Sequence, residues 1–199
     1  MKSTQIKSEI ILASKSKVRK EILEKNNINC RFISSNVDED PIKQSLIKEG
    51  ATPELISKNL AEIKATKVSS LNNDFLVLGA DSVIDLENNI ISKPENRIEA
   101  LEILKKLNGK EHYLISSVTI AKNGAMIWNY TDKAKLKMKH FNLDELKKYL
   151  SKISDHDLFS YNVYQIEGEG KNLFSNIDGD KDTIMGLPIM KIKDYLERI

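Results

Sequence analysis

The chain has 199 residues, which suits one domain or two small lobes sharing a core, and 40% of them are hydrophobic against 30% charged. This composition argues against disorder and against a membrane protein. Lys and Arg number 31 and Asp and Glu 29, so the formal charge of +2 disfavours a general nucleic-acid coat protein. No apolar run suits a secretory signal or approaches the ~18 residues of a membrane span. We therefore expect a cytoplasmic protein with no membrane partner.

Strands and helices alternate in the first half of the chain. Residues 6–13 predict a buried strand, 17–26 a helix, and "INCRFIS" a second strand followed by an acidic loop, "NVDEDP". A helix is predicted for "TPELISKNLAEIKATKVSSL", because Thr52 can cap it and Pro53 suits its first position. Its expected apolar stripe comprises Leu55, Ile56, Leu60, Ile63 and Leu71. "FLVLGADSVIDL" predicts a strand interrupted at Gly-Ala-Asp-Ser, which "LENNIIS" turns back as a hairpin.

Strands dominate the second half. A helix over "NRIEALEILKKLNGK" is indicated by Asn96 and Glu99 at capping-box spacing, and two long strands joined by Asn123-Gly124 follow it. "NLDELKKYLSKI" predicts another helix, "YNVYQIEGEG" a short strand, and the last helix begins near Pro188. The order favours one α/β domain over residues 1–199, built on a mixed sheet.

Three short stretches carry residues suited to phosphate chemistry. In "ILASKSKVRKEIL" a strand runs through Ser14 and Ser16 into a helix bearing Arg19, which predicts an anion site at the helix start. The simpler interpretation is a serine cap with solvated basic residues. Asp81 in "LGADSVID" follows an apolar strand and could act as a general base, a metal ligand or only a turn cap. Lys93 in "SKPEN" precedes a stiffening proline, as would suit a phosphate-binding lysine, although such a pair is usually just a loop.

The order of these pieces resembles the Maf family of nucleoside triphosphate pyrophosphatases. "ILASKSKVRKEIL" is similar to the family's opening Leu-Ala-Ser-x-Ser-Pro-Arg-Arg motif, and "LGADSVIDLENNIISKPENRIEALEILKKLNGKEHYLISSVTI" to its central block. "IDGDKDTIMGLPI" is similar to its closing Gly-Asp-x-x-x-Val-x-Gly-Leu-Pro. The resemblance implies an elongated α/β domain like that of inosine triphosphatases, with a mixed twisted sheet flanked by helices, a cleft and commonly a homodimer.

The resemblance also implies a reaction and a set of site residues. The family cleaves nucleoside triphosphates into monophosphate and pyrophosphate through water attack on the α-phosphorus, with Mg²⁺ or Mn²⁺. Asp81 matches the catalytic general base and a metal ligand, and Glu39 in "NVDED" matches a second residue at the metal. The implied substrate-binding residues are Ser14, Ser16, Arg19, Lys64, Lys93 and Glu167.

Several positions depart from the family pattern. Val18 stands where the first of two arginines is usual, and Lys17 where proline is usual. Where the family has Asp-Lys-Ala-Gly-x-Tyr-x-Ile-Gln, "FSYNVYQIE" places Ser160 for lysine, Asn162 for glycine and Glu167 for glutamine. Phe159 replaces the preceding aspartate unless Asp155 or Asp157 serves instead.

These departures leave two alternatives to an active pyrophosphatase. One is a catalytically weakened paralogue that binds nucleotides. The other is a nucleic-acid-binding protein that uses "KSKVRK" and "KAKLKMKH", although the sparse aromatic residues and the alternation of the second stretch favour a solvated sheet face. The base-contacting positions are among those that depart, so the sequence leaves open whether canonical pyrimidine or modified nucleotides are the substrates.

Overall fold

The structure, a computed structural model, describes residues 9–199 apart from the side chains of Ser160 and Tyr161. Residues 6–8 of the first predicted strand therefore lie outside the described part. The strands are β1 (Ile10–Leu12), β2 (Cys30–Phe32), β3 (Leu76–Leu86), β4 (Asn89–Ile91), β5 (Glu111–Lys122), β6 (Ala125–Met138) and β7 (Phe174–Asp178). The helices are α1 (Lys17–Lys25), α2 (Glu39–Lys48), α3 (Pro53–Ser69), α4 (Arg97–Leu107), α5 (Leu143–Ser151), α6 (Asp155–Tyr161), α7 (Lys181–Ile184) and α8 (Ile189–Leu196).

The strands form one mixed sheet in the order β2-β1-β3-β5-β6-β7. β4 pairs with the same edge of β3 as β1 does, but further along the strand. β1 runs parallel to β2 and β3, whereas the later pairs are antiparallel. The α/β fold with a mixed sheet and flanking helices is thus confirmed. No helix in the described residues is long and apolar enough to cross a membrane.

The two faces of the sheet are covered differently. α3 lies across one face, where Val68 packs with Val77 and Ile11. The opposite face carries two apolar clusters, one under α1 and α8 around Ile10 and Leu78, the other under α4 and α5 around Leu104 and Leu136. Since strand side chains alternate between faces, each residue of β3 faces either α3 or these two clusters.

Several local predictions are confirmed. Asn142 and Glu145 form a reciprocal capping box on α5, and Thr52 and Asn96 cap α3 and α4. Asn123 and Gly124 both adopt positive φ between the two long strands, as a tight hairpin requires. In "KAKLKMK" the residues Ala134, Leu136 and Met138 are buried while the lysines between them are not.

Other local predictions are wrong. β3 continues through Gly-Ala-Asp-Ser, because pairing with β5 along its whole middle outweighs the weak strand preference of these residues. The supposed loop "NVDEDP" ends at Asp38, because α2 begins at Glu39. Pro41 is tolerated in the first turn, whose N–H groups have no helical partner.

The stretch "YNVYQIEGEG" is not a strand. α6 ends in it and a 3₁₀ helix (Glu169–Leu173) begins in it, and the last strand of the sheet is β7. The apolar stripe of α3 is also only partly correct, because Leu55 and Leu71 are exposed whereas Ala61 and Ala65 are buried. Small residues face the sheet there because α3 approaches it too closely for larger ones.

Candidate active site

The site forms at a gap along one edge of β3. β1 pairs with β3 only over Leu76–Leu78, and β4 pairs with the same edge only from Ile84 onward. The intervening residues on this edge are covered by neither strand, and Asp81 lies in their centre. The prediction that Asp81 ends a strand is therefore wrong, but Asp81 does lie next to the end of a strand, that of β1. Such breaks in sheet order are where α/β proteins collect ligand groups.

Close packing of α3 on β3 brings Lys64 to Asp81. Gly79 has no side chain to separate the two elements, and a Cβ there would contact the Ala61 carbonyl oxygen and come within 2.7 Å of the Ala65 amide nitrogen. Lys64 lies on the same face of α3 and donates to Asp81 Oδ1 at 2.7 Å. Ala61, Lys64 and Ala65 are three and four residues apart and so share one face of α3, where the two alanines allow close packing on β3 and Lys64 reaches Asp81.

Lys64 also joins Glu39 to Asp81. Its Nζ is 2.9 Å from Glu39 Oε1, at the first residue of α2, and Lys43 Nζ lies 3.8 Å from Glu39 Oε2. Burial would raise the pKa of Glu39, but the ammonium groups of Lys64, Lys43 and Lys93 outweigh it and hold that pKa below its ordinary value. Glu39 is thus held as a carboxylate within reach of the buried Asp81.

One atom of this cluster is conspicuous for its lack of a partner. Asp81 Oδ2 is buried and accepts no hydrogen bond from any described residue. A buried carboxylate oxygen is costly unless something binds it. The described residues contain no group of three or more His, Cys, Asp or Glu that could hold a metal by itself. Mg²⁺, however, usually binds through one or two carboxylates plus substrate phosphates and water, which Asp81 and Glu39 can provide.

Lys93 approaches the same cluster from the end of β4. Its side chain is solvent-accessible, yet the surrounding protein and the charge of Arg19 lower its pKa, against the opposing influence of Glu39 and Asp81. A cation placed next to other cations is favourable only where an anion offsets them. The position of Lys93 therefore suits the binding of a phosphate group.

The two serines of the opening motif shape the turn before α1. Ser14 Oγ accepts from the Ser16 amide at 3.1 Å, and Ser16 Oγ caps the helix by accepting from the Arg19 amide at 3.3 Å. A hydroxyl that accepts in this way still has its own proton to donate. Both serines can therefore also bind an anion, so the cap and the anion site are compatible.

Arg19 is not the solvated side chain of the simpler interpretation. Its guanidinium donates to the Gly186 and Ala80 carbonyls, each at 2.9 Å, and to Ser82 Oγ at 3.0 Å. Burial lowers its pKa, and the nearby carboxylates Asp81 and Glu39 oppose that shift. Arg19 thus connects the opening motif, β3 and the closing motif around the base of the site.

Glu167 is not part of this cluster. It is exposed, and the ion pair recorded for it among the described residues is with Lys181, at 4.0 Å. Two residues of the site were not predicted from the sequence: Lys43, which pairs with Glu39, and Ser82, which accepts from Arg19. Lys43 lies four residues after Glu39, so the helical spacing could have revealed it had α2 been predicted to begin at Glu39.

Comparison with known proteins identifies the family. The family model described as "Maf-like protein" matches residues 9–199. The chain belongs to the Maf-like protein family.

Two relatives of this Maf-like protein are described as pyrophosphatases. It is 68% identical over 191 residues to the nucleoside triphosphate pyrophosphatase of Pelagibacter ubique (strain HTCC1062), covering 96% of this chain and 98% of that one. It is 36% identical to the 7-methyl-GTP pyrophosphatase of Brucella abortus biovar 1 (strain 9-941), covering 95% of each. A HAM1 protein from Coxiella burnetii shares the fold with a TM-score of 0.56, at 12% identity over 96% of this chain and 100% of that one.

Most of the positions at which this Maf-like protein departs from the family motif lie on α6 and the segment after it, whereas Lys17 and Val18 lie in the first turn of α1. Asn162 adopts a φ of 73° with a ψ of −169°, a backbone conformation that is essentially reserved for glycine, so it keeps the backbone of the usual glycine at a cost in strain. Asp155 pairs with Arg97 at the start of α4, and Asp157 accepts from Ser154, the cap of α6, so both carboxylates have partners outside the Asp81 cluster. The side chain of Ser160 lies outside the described residues.

Proposed function

We propose that this chain hydrolyses nucleoside triphosphates to the monophosphate and pyrophosphate. The observation that carries the proposal is the cluster of Asp81, Lys64 and Glu39, in which Asp81 Oδ2 is buried without a partner among the described residues. Membership in the Maf-like family and the names of its relatives support the same reaction.

The chemistry assigns each group a role. A water molecule attacks the α-phosphorus, its proton passes to Asp81, and the bond from the α-phosphorus to the bridging oxygen breaks to release pyrophosphate. Lys64 holds Asp81 through Oδ1, which orients Oδ2 as the proton acceptor. A carboxylate has about four lone-pair directions, so contact with a metal does not prevent this.

The phosphate chain and the metal have separate ligands in this proposal. Ser14, Ser16 and Lys93 bind the phosphates, and Asp81 and Glu39 hold a divalent cation. Mg²⁺ or Mn²⁺ offsets the negative charge that develops in the transition state. Glu167 would serve as a substrate-binding residue only if its segment moves towards the cluster, because it is exposed and lies beside Lys181.

The test is pyrophosphate release from a panel of canonical and modified nucleoside triphosphates, including 7-methyl-GTP, with Mg²⁺ or Mn²⁺. We expect release from at least one of them, and a loss of about 10²–10⁴-fold in Asp81→Asn. Asp144→Asn, at an exposed position on α5, is the matched control. Nucleotide binding without release by the wild type would favour the weakened paralogue, and strongly salt-dependent oligonucleotide binding would favour the nucleic-acid alternative.

We also propose a homodimer, which the family resemblance implies, and a cytoplasmic location, which the sequence suggests. Sedimentation of the purified protein at several concentrations tests the first. A monomer at every concentration would overturn it.

A further inference from the structure

We propose that Arg19 is a positioning residue, which fixes Asp81 from the reverse face of β3, and not a ligand of the triphosphate. The proposal rests on the hydrolase activity proposed above. It differs from the phosphate-binding role that the family resemblance implies for this arginine. The N–H groups of its guanidinium donate to acceptors of the protein itself.

Arg19 has few donors left for a phosphate. A guanidinium carries five N–H groups, and four acceptors of the chain lie within hydrogen-bond distance of this one: the Ala80 and Gly186 carbonyls, Ser82 Oγ and, at 3.4 Å, Ser14 Oγ. Bidentate phosphate recognition needs two parallel N–H groups. At most one remains here, so the side chain is committed to the protein.

Two of these acceptors flank Asp81. Ala80 and Ser82 are its neighbours on β3, and their side chains point to the face opposite to that of Asp81, because strand side chains alternate. Asp81 is held by Lys64 on the α3 face. Arg19 therefore holds β3 at the Ala80 carbonyl, which projects along the open edge of the strand, and at the Ser82 hydroxyl on the face away from Asp81.

The contact with Ser82 continues as a chain of hydrogen bonds with one direction. Ser116 Oγ lies 2.7 Å from the Thr183 carbonyl, and since a carbonyl only accepts, Ser116 donates its single proton there. The 2.8 Å contact between Ser82 Oγ and Ser116 Oγ must then be donated by Ser82. Ser82 in turn accepts from Arg19. The donor and the acceptor of each hydrogen bond are thus assigned in this chain from Arg19 through Ser82 and Ser116 to Thr183, which we call the relay.

The relay ends at the closing motif of the chain. Thr183 Oγ1 donates to Asp132 Oδ2 at 2.6 Å, which fixes α7 on β6. The carbonyl of Gly186, three residues later, accepts from Arg19 Nε. A Cβ at Gly186 would lie 3.0 Å from Ser82 Oγ and 3.2 Å from Arg19 Nε, so both groups would have to shift by a few tenths of an ångström. The φ of 94° at this position also favours glycine. The opening and closing motifs therefore meet behind Asp81, where they set its position.

The test compares Arg19→Ala, Arg19→Lys and Ser116→Ala with Lys20→Ala, an exposed neighbour on α1. We expect kcat to fall about 100-fold in Arg19→Ala with KM nearly unchanged, because a small displacement of a reacting group costs about that much. Lysine should not rescue it, since an ammonium cannot reach three separate acceptors. Added guanidinium ion should restore part of kcat in Arg19→Ala.

Ser116→Ala is the decisive second variant. Ser116 is fully buried on the face away from Asp81 and cannot contact a phosphate, so a lowered kcat at constant KM supports the relay. An unchanged kcat in Ser116→Ala, or a weakened affinity for a non-hydrolysable triphosphate in Arg19→Ala, would overturn it. The proposal would also be overturned if Arg19→Ala and Ser116→Ala melted at a lower temperature but kept the wild-type kcat per folded molecule, because that result indicates a role in stability alone.

A second readout separates this proposal from the hydrolase activity. Amide hydrogen exchange over residues 79–83 should become faster in both Arg19→Ala and Ser116→Ala than in the wild type. If the wild type releases no pyrophosphate, the proposed function fails and the exchange rates still decide the positioning role. Unchanged exchange in both variants would refute it.

Discussion

Lys64 Nζ lies 2.7 Å from Asp81 Oδ1, and the two residues are only 7% and 5% exposed. Removing one partner of a buried ion pair leaves the other charge uncompensated. We expect Lys64→Met to lower the free energy of unfolding by about 3 kcal/mol, and the double variant Lys64→Met/Asp81→Asn to recover part of that loss. Urea denaturation measures both, with Lys58→Met on the same helix as the control. A loss in the double variant that equals the sum of the losses in Lys64→Met and Asp81→Asn would mean that the pair is not coupled.

Lys93 is expected to act through substrate binding. A charge-assisted hydrogen bond contributes about 1.5–3 kcal/mol, so Lys93→Ala should raise KM for the preferred nucleotide by about 10- to 100-fold. Its stability should be nearly unchanged, because the side chain is solvent-accessible. Steady-state kinetics of Lys93→Ala test this, with Lys122→Ala, at the exposed end of β5, as the control. A fall in kcat with KM unchanged would instead give Lys93 a role in the transition state only.

His112 should make stability depend on pH. Burial lowers its pKa from 6.5 to about 4, and its Nδ1 has no partner among the described residues. The unfolded chain therefore binds a proton at a higher pH than the folded chain does. Stability is fully present above pH ~6.5 and is lost as the pH falls towards 4.

We expect the free energy of unfolding to decrease by about 2 kcal/mol between pH 7.5 and pH 5. His112→Gln should remove most of that slope, whereas His140→Gln, at an exposed position, should keep it. Denaturant titrations at each pH give the values. A slope that persists in His112→Gln would assign the dependence to other groups.

Gly79 should tolerate no side chain. A Cβ there would meet the backbone of α3 at Ala61 and Ala65, and neither can move without lifting the helix from the sheet. We expect Gly79→Ala to cost about 3 kcal/mol or more of stability and to reduce activity, since Lys64 would move away from Asp81.

Gly168→Ala is the matched control for Gly79, because a Cβ there meets no atom within 4 Å and its φ of −119° is ordinary. Melting temperatures of the two variants provide the comparison. Similar values for both would show that α3 can shift on β3 at little cost.

Local interactions made much of the fold predictable. The helix starts at Thr52, Asn96 and Asn142 depend on side chains that reach only three residues along the chain. The hairpin at Asn123-Gly124 depends on two residues that adopt positive φ easily. Such features follow from sequence because the interacting groups are neighbours in it. The failure at "YNVYQIEGEG" has the opposite origin, since Tyr164 packs on the distant His112 instead of extending a strand.

The sequence by itself determined the α/β class and most of the longer elements and, through the family motifs, the residues Asp81, Lys64, Glu39 and Lys93 as candidates for one site. Only the tertiary structure decided which of them meet, because Lys64 reaches Asp81 through the close packing of α3 on Gly79. It also decided that Arg19 binds carbonyls and a serine from two segments far from it in sequence, β3 and the closing motif. Such contacts are set by long-range packing, which local sequence patterns do not encode.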